Sequence, residues 1–113
     1  MDTILRQTLL FDFYGDLLTP HQREIYEDVI CNDISCSEVA KREGVSRQNI
    51  HELVRKCRKQ LDAYEETLHM MERFLKVRDL VGEIRLQVGK EPDDGLSPQK
   101  AIMDLCDQIL EEL

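Results

Sequence analysis

Cys31, Cys36, His51 and Cys57 are the side chains whose types could hold a soft metal ion, because thiolate sulfur and imidazole nitrogen are ligands that zinc prefers. Their spacing argues otherwise. The closely spaced C-x-x-C pairs of structural zinc sites are absent, and Cys57 and Cys106 fall on apolar stripes, where cysteine acts as a small hydrophobe. His21, His51 and His69 have no serine or cysteine at a recognisable nucleophile–base spacing, and scattered carboxylates do not define a general acid. No catalytic residue, no metal, no cofactor and no enzymatic activity is therefore expected.

A different chemistry is concentrated elsewhere. The 113 residues carry a net charge of −8, yet residues 41–60 hold Lys41, Arg42, Arg47, Arg55, Lys56, Arg58 and Lys59 against only Glu43 and Glu52, a local net of +5. Residues 1–40 carry −6 and residues 61–113 carry −7, so both flanks would repel phosphate. Such a local cationic segment is where an anionic partner would be met.

The elements that must position this segment read as helices. Three prolines, five glycines and 5% aromatics are too few turn formers and rings for a sandwich or barrel. Asp2 is expected to cap a first helix whose Ile4, Leu5, Leu9, Phe13, Leu17 and Leu18 lie on one side. Thr19-Pro20-His21-Gln22 forms a capping box with proline at N1, opening a second helix that runs to about Cys31 with Ile25, Val29 and Ile30 inward. Ser35 to Glu38 supplies another cap for a short third helix, with Val39 and Ala40 inward, and Gly44 ends it in the left-handed conformation.

Val45 is then expected in the core, and Ser46 caps a helix beginning at Arg47. Ile50, Val54, Cys57, Leu61, Tyr64, Leu68, Met71 and Leu75 step by fours and threes, the heptad spacing of one long helix from Arg47 to about Arg78. Residues 88–96 read as a linker. Ser97-Pro98 caps a last helix with an apolar stripe through Ile102, Leu105, Cys106, Ile109, Leu110 and Leu113.

Residues 35–59 thus spell a short capped helix, a glycine turn and a basic helix, a helix-turn-helix. With Ile50, Val54, Cys57 and Leu61 facing inward, rotation by 100° per residue puts Gln48, Glu52, Arg55 and Lys59 outward, flanked by His51 and Lys56. Gln48 can pair with adenine, Arg55 with guanine, and Glu52 can accept from a cytosine amine; Lys56 and Lys59 suit phosphates. The free N–H groups near Ser46 and Arg47 suit one further phosphate. The expected partner is duplex DNA.

Leu18-Thr19-Pro20-His21-Gln22-Arg23-Glu24, followed by Ser35-Cys36-Ser37-Glu38-Val39-Ala40 and Gly44-Val45-Ser46-Arg47-Gln48-Asn49-Ile50, resembles region 4 of bacterial sigma factors, which recognises the −35 promoter element. With Phe11-Asp12-Phe13-Tyr14 before and Leu61-Asp62-Ala63-Tyr64-Glu65 after, the chain more closely resembles the YlxM family of small bacterial proteins. That resemblance implies a gene beside those for the signal recognition particle and its receptor, and a regulatory part in that pathway. Sigma activity is not carried over, because the regions that bind the polymerase core have no counterpart here. An adaptor that binds a protein or RNA component of the particle, without touching DNA, is the alternative.

The reading is an all-α, sigma region 4-like helix-turn-helix with a long helix after the turn and an additional C-terminal helix. It is expected to be one domain over residues 1–113, with a helix-turn-helix core over 17–61 and a helical extension over 62–113. No apolar run reaches the roughly 20 residues that cross a bilayer, and the segment Met1 to Leu10 lacks a signal peptide's pattern, so a cytoplasmic protein with reduced cysteines is expected. The apolar seam from Leu61 to Leu75 points to a homodimer.

Overall fold

The computed structural model describes residues 3–89 and 98–112. These form six α-helices, with no strand among the described residues: α1 (Thr3–Tyr14), α2 (Pro20–Tyr26), α3 (Cys36–Glu43), α4 (Arg47–Leu68), α5 (Met70–Gly89) and α6 (Pro98–Glu112). The all-α helix-turn-helix reading holds. The chain divides into two compact units, Met1–His69 and Met70–Leu113. Asp2, Leu113 and most of the 88–96 linker lie outside the described residues.

In the first unit α4 is the hub, packed by α1, α2 and α3. Its inner face is Ile50, Val54, Cys57, Leu61 and Glu65, all buried, and a fully buried Ile or Leu contributes about 1.5–3 kcal/mol. Leu10, Tyr14, Ile25, Tyr26 and Val39 complete the core, none more than 1% exposed.

The side of α1 that faces this core differs from the one expected. Gln7, Leu10, Phe11 and Tyr14 are buried, whereas Ile4, Leu5 and Leu17 are all more than half exposed. A 3₁₀ turn over Gly15–Leu17 rotates the chain after α1, which separates Leu17 from Leu18, the latter buried. Gly15 is required there, since a Cβ would stand 2.9 Å from the Phe11 ring.

The local capping signals are realised. Thr19 and Gln22 exchange hydrogen bonds, the Gln22 N–H donating to Thr19 Oγ1 and the Thr19 N–H donating to Gln22 Oε1, both at 3.2 Å. Past Tyr26 the helix widens into a π-turn over Glu27–Cys31, closed by the Asn32 N–H on the Glu27 carbonyl at 3.0 Å. Asp33, at φ 54°, then turns the chain toward α3. Val29 and Ile30 are half-buried.

The long helix expected from Arg47 to Arg78 ends at Leu68. His69 adopts φ 56°, ψ 25°, the left-handed region, and its N–H donates to the Glu65 carbonyl at 2.8 Å. That conformation closes α4 as a C-cap does and restarts the chain as α5. Within the second unit α5 packs along α6, and Lys76 Nζ pairs with Glu112 at 2.7 Å.

Candidate nucleic-acid interface

The geometry begins at the turn. Ser35 Oγ accepts the Glu38 N–H at 3.1 Å and starts α3. Gly44, at φ 69°, ends it with its N–H directed to the carbonyls of Ala40 and Lys41. The Val45 N–H donates to the Ala40 carbonyl at 3.1 Å, and Ser46 Oγ accepts the Asn49 N–H at 3.1 Å to start α4. These backbone bonds fix the angle of the two helices, while Val39, Ala40 and Ile50 bury their contact.

Val45 departs from expectation, being 43% exposed. Its N–H, rather than its side chain, fastens the turn. A left-handed glycine followed by a 6→1 bond satisfies the helix carbonyls without an apolar plug.

All eight residues expected to meet DNA are exposed: Ser46, Arg47, Gln48, His51, Glu52, Arg55, Lys56 and Lys59. Two chains of hydrogen bonds organise them. Glu52 stands between its neighbours, accepting from Arg55 Nη2 at 2.9 Å and from Gln48 Nε2 at 3.5 Å. Arg47 Nε donates to His51 Nε2 at 3.3 Å, and the other ring nitrogen of His51 lies 3.8 Å from Cys36 Sγ on α3. Lys56 and Lys59 complete the cationic side.

A groove of about 520 Å³ opens along this side, lined by Gln22 of α2 together with Glu52, Leu53, Arg55, Lys56 and Lys59 of α4. Gln22 belongs to the surface as well as to the capping box. The sequence marks its capping role through the T-x-x-Q spacing, but its approach to α4 spans thirty or more residues and leaves no local signal.

Other cations of the basic segment are engaged elsewhere. Arg58 Nε and Nη2 donate to the Gln7 amide oxygen at 2.8 and 3.2 Å, in the amide orientation that satisfies both groups. Arg42 pairs with Asp28 at 2.8 Å, a hydrogen bond that pushes its guanidinium further up, and approaches Glu43 at 3.4 Å. Lys41, Arg42 and Arg58 are exposed too, but Arg42 and Arg58 already have partners, which leaves Lys56 and Lys59 beside Arg47 and Arg55 on the candidate side of α4.

Of the cysteines, Cys57 is wholly buried, and burial pushes its thiol up, with Lys56 opposing in part. A raised, inaccessible thiol is unreactive. Cys36 is half-exposed beside His51, on the flank of the candidate surface.

The capped α3, the left-handed turn and the outward-facing basic α4 define a helix-turn-helix protein. The chain belongs to the UPF0122 family, the helix-turn-helix proteins described as YlxM / p13 like, whose model matches residues 1–96. The chain is 35% identical over 109 residues to the UPF0122 protein of Shouchella clausii, covering 96% of this chain and 98% of that one. It is 32% identical over 114 residues to the UPF0122 protein of Acetivibrio thermocellus, covering 100% and 97%. To that of Symbiobacterium thermophilum it is 39% identical over 85 residues, covering 75% and 79%. Among the described residues no helix is long and apolar enough to cross a membrane.

Proposed function

We propose that this protein is a cytoplasmic regulator that binds duplex DNA, inserting the outer face of α4 into the major groove. The observation that carries the reading is the joint exposure of Gln48, Glu52, Arg55 and Lys59 on one side of a helix held by a capped turn. Gln48 and Arg55 would read base edges, Glu52 would accept from cytosine, and Arg47, Lys56 and Lys59 would neutralise phosphates. His51 would support Arg47, and Ser46 would present the first amides of α4 to a phosphate.

The acidic remainder of the chain makes DNA affinity modest and strongly salt-dependent. A homodimer would double the contact and address two successive grooves about 34 Å apart. Fluorescence anisotropy with promoter-length duplexes tests the reading. Binding at about 50 mM salt that is lost in Arg55→Ala with Lys59→Ala supports it, and full binding by the double variant refutes it.

A second reading is favoured by a cleft of about 400 Å³ on the first unit, in which Asp16, Glu24 and Glu27 gather around Leu18, Pro20 and Arg23. Such an acidic surface suits a basic protein, and the pathway suggested by the YlxM resemblance makes a component of the signal recognition particle the partner to test. A pull-down that retains that particle's protein or RNA while DNA is not bound would favour it.

A further inference from the structure

The hairpin of α5 and α6 carries more apolar surface than two helices can cover. Among the described residues of this unit Met71 alone is buried, while Val81, Leu86, Met103 and Leu110 are each more than a third exposed. Leu75, Leu80 and Ile84 on α5 and Ile102, Leu105 and Ile109 on α6 are half-buried. Helical hairpins reach a fully covered core when two of them pair into a four-helix bundle.

The surface left over is organised along α5. Phe74, Val77, Val81 and Gly82 line a groove of about 430 Å³ together with Arg78 and Arg85. Gly82 is part of its shape, because a Cβ added there would meet nothing within 4 Å. The two arginines are seven residues apart, two turns of helix. Arg78 approaches Asp79 at 4.0 Å, a weak surface pair.

α6 carries the complementary pattern. Met103 and Leu110 are also seven apart, each more than 60% exposed, and Asp104 and Glu111 beside them repeat the same interval and are exposed. The sequence of α5 has a net charge of +1 and that of α6 a net of −3. An apolar pair with an acidic pair on one side therefore matches an apolar strip with a basic pair on one side, with the two helices antiparallel.

We propose that the α5 groove receives α6 of a second copy of this chain, with Met103 and Leu110 over Val77, Val81 and Gly82, and Asp104 and Glu111 against Arg78 and Arg85. Two-fold symmetry makes the contact twice, since each copy offers both halves. This deepens the homodimer reading above by assigning its surface, and moves that surface from the expected seam at Leu61–Leu75 to the hairpin. It does not depend on DNA binding.

Light scattering of the full chain after size exclusion tests it. The wild type should be a dimer, and Arg78→Glu with Arg85→Glu should raise the dimer dissociation constant at least tenfold, as should Asp104→Lys with Glu111→Lys. Mixing the two charge-reversed chains should restore a dimer, because each then complements the other. Gly82→Leu is accommodated in the single chain and favours helix, so its circular dichroism should be unchanged while its dimer is lost. A monomeric wild type overturns the homodimer reading and this interface together. A wild-type dimer that survives all three variants overturns the interface alone, and failure of the mixed chains to associate overturns the charge pairing.

Discussion

Tyr14 Oη donates to Glu65 Oε1 at 2.6 Å inside the first unit, joining the end of α1 to the last turns of α4. Both residues are buried, and a buried carboxylate is costly unless hydrogen-bonded. Tyr14→Phe keeps the ring against Tyr64, 6.1 Å away, and deletes this donor. The unfolding free energy should fall by about 1–3 kcal/mol. Urea denaturation should show a lower midpoint at an unchanged slope.

Tyr26 presents the opposite case. Its ring stacks on Phe11 at 5.7 Å, while its hydroxyl is buried with no hydrogen-bond partner among the described residues. Tyr26→Phe removes an unsatisfied polar atom and keeps the stack, so stability should be unchanged or slightly raised. Burial, only partly opposed by Arg58, pushes its ionisation up to about 12. The folded protein therefore holds this proton more tightly than the unfolded chain, whose tyrosine titrates near 10. The associated stability is full below about pH 10 and is lost as pH rises through about 12, at about 1.4 kcal/mol per unit in between. Ultraviolet titration should show one tyrosine ionising late, and Tyr26→Phe should abolish that late phase.

Gly44 is needed for backbone geometry rather than for space. Its φ of 69° is unfavourable for residues with a Cβ, yet a Cβ there would meet nothing within 4 Å. Gly44→Ala should therefore cost about 1–2 kcal/mol, the left-handed penalty alone. Gly44→Asn should cost less, because asparagine tolerates that region. Thermal unfolding of the two variants distinguishes strain from steric clash, which would instead rank them by size.

How much of this was legible in the sequence depended on distance along the chain. Thr19 with Gln22, Ser35 with Glu38, Gly44 and Ser46 act through partners three or four residues away, and the sequence places each of them where the structure does. The inner stripe from Ile50 to Leu61 was readable for the same reason. The buried side of α1 was not. Its polar Gln7 meets Arg58, and Tyr14 meets Glu65, both across some fifty residues. The break at His69 was also hidden, because the heptad pattern runs through it and histidine is no helix breaker by type. On α4 the exposure of the eight candidate residues followed from periodicity, whereas Gln22's approach and the diversion of Arg42 and Arg58 to other partners needed the fold.

Glu52 should set selectivity rather than affinity. It holds Arg55 at 2.9 Å, and its charge would oppose the phosphates of a bound duplex. Glu52→Gln should bind random duplex more tightly and lose preference for sites offering a cytosine amine. Competition between specific and random duplexes measures this as a reduced ratio of the two affinities. Lys59→Ala should weaken both equally and lower the slope of log affinity against log salt by about 0.9, one phosphate contact.

Whether the outer face of α4 meets DNA is tested most directly by titrating isotope-labelled protein with duplex and following its backbone amide resonances by NMR. Shifts concentrated over residues 46–59, with Gln22 beside them and α1 silent, are the predicted result. Shifts confined to α1 or to the α5–α6 hairpin, or none at saturating duplex, would contradict it.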